Sequence, residues 1–102
     1  MSFEEELQQF REMLFSSPLV KEYFRYKNLL ANDEQIQSLV QEIHQHEKNM
    51  TMHMMEDEVY QKEKQLYLEK KQIYEQHPLV INYSALQEEV QVLLKEIRDI
   101  LQ

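Results

Sequence analysis

Between His44 and Met55 the chain reads HQHEKNMTMHMM, which sets three imidazoles among four thioethers. Soft sulfur and imidazole donors of this kind bind copper(I). The spacing suits a single site poorly: on a helix, His44 and His46 point about 200° apart. Met50 with Met54, or Met52 with Met55, would share a helical face. The competing reading is that the methionines fill an irregular turn or a pliable interface while the histidines are solvated. A metal-binding sensor built on residues 44–55 is therefore the alternative function, and the primary expectation includes neither metal nor cofactor.

The other reactive side chains support no catalytic constellation. Lys62, Lys64, Lys70 and Lys71 form the single basic cluster, diluted by Glu63 and Glu69. A solvated helix face laced with ion pairs explains it better than a nucleic-acid site. Glu4, Glu5 and Glu6 suit the positive end of a helix dipole. No Gly-rich phosphate loop, nucleophile motif or H-E-x-x-H occurs. Cysteine is absent, so thiol chemistry, disulfides and thiolate-held metal sites are excluded. The chain is not expected to be an enzyme.

The elements that would position these groups follow from composition. With 102 residues, no glycine and two prolines, tight hairpins needing positive φ are disfavoured, whereas the abundant Glu, Gln, Leu, Lys and Met favour helix. The expected fold is all-α: one helical domain spanning residues 1–102, an antiparallel hairpin or bundle of four to five helices forming a coiled-coil-like dimer. A chain this short hides about two-thirds of its unfolded surface, so a second subunit is an expected source of core. The net charge of −8 argues against nucleic acid or an anionic membrane as partner. MSFEEELQQF lacks the basic start of a signal peptide, and no uncharged run could span a bilayer. A cytoplasmic location is expected.

Ser2 and Glu5 form a capping box ahead of a stripe at Phe3, Leu7, Phe10 and Leu14. Ser16 and Ser17 before Pro18 predict a stop and a new helix start. The second helix carries Leu19, Tyr23, Tyr26 and Leu30; Asn32 ends it and is expected to cap the third, with Gln35 in the capping-box position. The third continues through Ile36, Val40, Ile43, Met50 and Met54. Apolar pairs then recur every seven residues at Val59/Tyr60, Leu66/Tyr67 and Ile73/Tyr74. A single helix over 33–76, roughly 65 Å long, competes with two antiparallel helices joined by a turn near Thr51 to Asp57. Average helix length favours the hairpin; the missing glycine favours continuity. The hairpin is the expectation.

The last helix starts at Pro78 and carries Tyr83, Leu86, Val90, Leu93, Ile97 and Ile100 as a heptad-like seam, broadened by Val80, Leu94 and Leu101. Pro-Leu-Val occurs at both Pro18 and Pro78, and Leu19, Tyr23, Tyr26 and Leu30 match Leu79, Tyr83, Leu86 and Val90 at an offset of sixty. Duplication and convergence on one packing solution both account for the match.

SSPLVKEYFRYKNLL, then NDEQIQSLVQEI, a polar helical stretch, and HPLVINYSALQEEVQVLLKEI together resemble the YlbF/YmcA family of small helical bacterial regulators. The resemblance covers nearly the whole chain. It implies a non-enzymatic protein of low-GC Gram-positive bacteria that associates through its helices and influences competence, sporulation or biofilm development. Some members support RNA processing by a membrane-attached endoribonuclease, and some hold iron–sulfur clusters on a cysteine-bearing tail. This chain is expected to be a short, cysteine-free member, so cluster binding does not carry over. The expected function is a regulatory adaptor acting by helix-mediated contact with a second copy and an unidentified protein partner. The residues expected to carry association are Val59, Tyr60, Leu66, Tyr67, Ile73 and Tyr74, an aromatic and aliphatic strip of the kind that anchors interfaces.

Overall fold

The computed structural model describes residues 2–101, the side chain of Leu101 excepted. It contains helices α1 (Phe3–Ser16), α2 (Pro18–Asn32), α3 (Glu34–Met52), α4 (Asp57–Gln76) and α5 (Pro78–Leu101). No strand occurs among the described residues, so the all-α expectation holds. The chain divides into two compact units. One combines the residues up to Asn28 with those from Asn82 onward; the other is Leu29–Ile81.

In the first unit, Ser2 Oγ accepts the Glu5 amide at 3.2 Å and starts α1, with Glu4, Glu5 and Glu6 in the first turn where the helix dipole favours anions. Ser17 is extended, at φ −60° and ψ 129°, because the ring of the following proline pushes a residue out of the helical region. An aromatic row then joins three helices. Phe15 of α1 stacks on Phe24 of α2, Phe24 meets Tyr23 edge-on, and Tyr23 stacks on Tyr83 of α5 at 5.4 Å. The Tyr23 and Tyr83 hydroxyls share a 3.3 Å hydrogen bond, and Asn82 donates to the Tyr26 hydroxyl at 3.4 Å. Each such ring pair contributes about 0.5–1.5 kcal/mol beyond simple burial.

Tyr23 and Tyr83 are matched positions of the two Pro-Leu-Val copies, and here they meet each other. The match extends to burial. Among the described residues the buried apolar side chains are Val20, Leu30, Ile36, Val80 and Val90. Val20 matches Val80, and Leu30 matches Val90, at the same offset of sixty. The valine of each Pro-Leu-Val is thus the deep residue. Its leucine, which the periodicity placed on the seam, is half-buried.

The second unit is a chain of short joints. Asp33 links α2 to α3 and accepts the Ile36 amide through Oδ1 at 2.9 Å. This corrects the sequence expectation of an Asn32 cap: Asn32 still belongs to α2, and a cap must stand outside the helical dihedrals, as Asp33 does at ψ 113°. Gln37 donates to the Leu30 carbonyl at 2.8 Å, satisfying an end of α2.

α3 and α4 form the expected antiparallel hairpin. The turn runs through His53 to Glu56, with the Glu56 amide donating to the His53 carbonyl at 3.0 Å. No residue among those described has positive φ, so this turn is built without glycine. His77 then links α4 to α5 and, like Ser17, is extended before its proline at φ −66° and ψ 131°.

The long seam expected along α5 is covered from Val80 to Ile97. Val80 and Val90 are buried and Tyr83, Leu86, Leu93 and Ile97 half-buried, whereas Leu94 and Ile100 are exposed. The side chain of Leu101, assigned to the same seam, lies outside the described residues.

Candidate interaction surface

The half-buried stripe of α4 runs through Tyr60, Glu63, Tyr67, Lys70 and Tyr74, and the half-buried His77 follows at the joint with α5. These positions step by three and four, the spacing of a packed helix face. Aromatic and ionisable side chains therefore alternate along the hairpin. Two of the ionisable ones reach across to α3. His46 Nδ1 lies 2.6 Å from Glu63 Oε2, with both side chains 19% exposed, and Lys70 Nζ lies 3.0 Å from Glu42 Oε2. The residue numbers rise on one helix as they fall on the other, which fixes the antiparallel register. Polar pairs within an apolar seam specify alignment more than they add stability.

The hydrogen bond from His46 holds the Glu63 carboxyl below its ordinary 4.5, against the opposing effect of burial and with help from Asn49. His46 and Asn49 stand one turn apart on α3, so both donate to the same carboxylate.

The six residues expected to carry association fall into two sets. Tyr60, Leu66, Tyr67 and Tyr74 are half-buried, while Val59 and Ile73 are exposed, Ile73 by 55%. Tyr67 and Tyr74 line one flank of the hairpin, a recess of about 240 Å³ shared with Val40 and Ile43 of α3. Lys71 sits 5.7 Å over the Tyr67 ring, a cation–π contact. Ile73 lines the opposite flank, an open groove of about 610 Å³ floored by Ile36 and Leu39 and edged by Glu34, Glu42, Lys70 and His77. The pair Ile73 and Tyr74 is thus divided between two recesses of the hairpin.

Of the lysine cluster, Lys71 and Glu75 make the expected pair along the helix at 4.0 Å. Lys70 departs from the solvated face and bridges the helices. The Met/His stretch also departs from its expected geometry. α3 ends at Met52, so Met54 and Met55 lie in the turn and the helical pairing of Met50 with Met54, or Met52 with Met55, does not form. The three histidines face different carboxylates: His44 with Glu47 at 3.9 Å, His46 with Glu63, and His53 with Glu56 at 2.9 Å. Among the described residues no three His, Asp or Glu side chains converge on a metal-sized site.

Surface apolarity extends well beyond the strip. α1 exposes Phe3, Leu7, Met13 and Phe15, and α5 exposes Val92, Leu94 and Ile100; Phe3 reaches 72% and Ile100 73%. At the hairpin turn Met55 is 97% exposed. Sequence periodicity assigned Leu7, Leu94 and Ile100 to a core and passed over Met13, Phe15 and Val92, which fall off the regular stripes. Their signal was simply a surplus of large apolar residues over available seam positions. No described helix is long and apolar enough to cross a membrane.

Residues 3–102 match the family described as "Control of competence regulator ComK, YlbF/YmcA", and the chain belongs to that family. Neither a curated protein nor a solved structure gave a match. The family resemblance read from the helix starts and heptads therefore holds over essentially the whole chain, and the family's description is a regulatory one.

Proposed function

We propose that this chain is a non-enzymatic regulator whose output is affinity: it binds a second copy of itself and a protein partner through helix faces. The observation that carries the reading is uncovered apolar surface on single helices: Phe3, Met13 and Phe15 of α1 are 72%, 68% and 53% exposed, and Val92 and Ile100 of α5 are 57% and 73% exposed. Exposed apolar faces of this kind mark sites of protein contact.

Two further features support it. The side chains best suited to acid–base work, His46, Glu63, Glu42 and Lys70, are paired with one another between helices. The net charge of −8 makes a protein surface a better partner than a nucleic acid. A cytoplasmic location is part of the proposal, on the acidic, cysteine-free composition.

The test is a pair of substitutions at exposed apolar positions, Met13→Glu on α1 with Val92→Glu on α5. Neither side chain is buried, so helicity should be kept while the sedimenting mass falls to that of one chain. The same variant should lose the regulatory effect in the native cell. A variant that is monomeric yet fully active there would refute the proposal.

A further inference from the structure

His77 caps α5 with its ring. Its Nδ1 accepts the Leu79 amide at 3.1 Å, and its carbonyl accepts the Ile81 amide at 2.9 Å. A ring nitrogen that accepts carries no proton, so the cap requires the neutral imidazole with its hydrogen on Nε2. We infer that His77 is an acid-sensitive latch at the joint between α4 and α5: the neutral ring holds the first turn of α5, and protonation releases it.

Protonation acts on this contact twice. It turns Nδ1 from an acceptor into a donor that confronts the Leu79 N–H, and it sets a cation at the positive end of a helix dipole. Proton binding and capping exclude each other, so the stabilisation from the cap is present at high pH and lost as pH falls. Glu34 and Glu42 of α3 and Lys70 of α4 are the other ionisable side chains of the groove that His77 edges. Lys70 is engaged by Glu42, and Glu34 lines the same groove. On α4 itself, Glu75 is drawn toward Lys71, and α5 has no acid in its first turn.

The internal repeat supplies its own control. Ser17 stands sixty residues before His77, in the same extended conformation and before the same Pro-Leu-Val. A serine caps well and does not titrate. The second joint therefore carries a titratable side chain where the first carries one that does not titrate. The Glu63 carboxyl, held low by its bond from His46, adds a separate pH-dependent contribution in acid. A global melt mixes the two effects, so the measurement must be local.

Nitrogen chemical shifts of the His77 ring report its tautomer, and exchange of the Leu79 amide, corrected for its intrinsic pH dependence, reports the cap. In the unmodified chain the Nε2–H tautomer should dominate at about pH 8, and Leu79 exchange should accelerate about fivefold on moving to about pH 5. His77→Ser should show slow exchange at both pH values, and His77→Ala fast exchange at both. His77→Asn, a second non-titrating cap, should behave as the serine does. Acceleration of the same size in His77→Ser, an unmodified chain whose Leu79 exchange ignores pH, or an Nδ1–H tautomer at pH 8 would overturn the inference.

Discussion

Ile36→Ala probes the part of the fold with least redundancy. Ile36 is 2% exposed, the deepest side chain among those described, and it sits one turn into α3 with its amide held by Asp33. Alanine removes three carbons, a transfer loss of about 2.4 kcal/mol at roughly 0.8 kcal/mol per methylene. The void adds to this, but Ile36 floors an open groove, so its neighbours can settle and water can enter. We expect a total near 3 kcal/mol, toward the low side of the roughly 2–5 kcal/mol range for such truncations. At about 4–8 °C per kcal/mol for a chain of this size, the midpoint should fall by roughly 12–24 °C. Melts followed by circular dichroism at several protein concentrations separate this loss from any change in association. A fall of less than about 4 °C would show that Ile36 is not a keystone and that the reasoning about a thin core is wrong.

Three further outcomes follow from individual contacts. Asp33→Ala should cost about 1 kcal/mol in denaturant unfolding, because its Oδ1 makes the capping bond to the Ile36 amide. Glu63 has a depressed carboxyl, so its pairing stabilises the hairpin above its ordinary 4.5 and is lost as pH falls below that value; Glu63→Gln should show a smaller loss of stability on acidification than the unmodified chain, measured by denaturant midpoints. Val90→Asp buries an unpaired carboxylate and should abolish the helical signal, while Tyr67→Ala, at a half-buried position, should cost about 1–2 kcal/mol and leave the helices formed; equal loss of ellipticity in both would contradict that distinction.

Helix starts were legible because local chemistry alone sets them. Ser2, Pro18 and Pro78 act through caps and fixed dihedrals that need no tertiary partner. The hairpin turn was legible from the broken rhythm near Met55, although the lack of glycine pointed the other way; the turn at His53 to Glu56 uses negative φ throughout, which that objection did not consider. What faces what along α4 was not legible. The seam passes through Glu63 and Lys70, and an apolar count skips those positions because the cost of burying them is met by partners on α3, His46 and Glu42 among them. Ile73 and Tyr74 read as neighbours in one strip of the sequence, whereas the structure sets them on different recesses of the hairpin. The repeat was visible as matching letters, yet only the geometry pairs Tyr23 with Tyr83. The exposed residues of α1 and α5 were hidden for a simpler reason: periodicity says which residues share a face, and not whether anything covers it.

Sedimentation equilibrium of the unmodified chain across a hundredfold range of concentration tests the central claim most directly. The account predicts a mass that rises above 12.6 kDa toward an integral multiple as concentration increases. A mass fixed at 12.6 kDa at every concentration, with the helices fully formed, would contradict it.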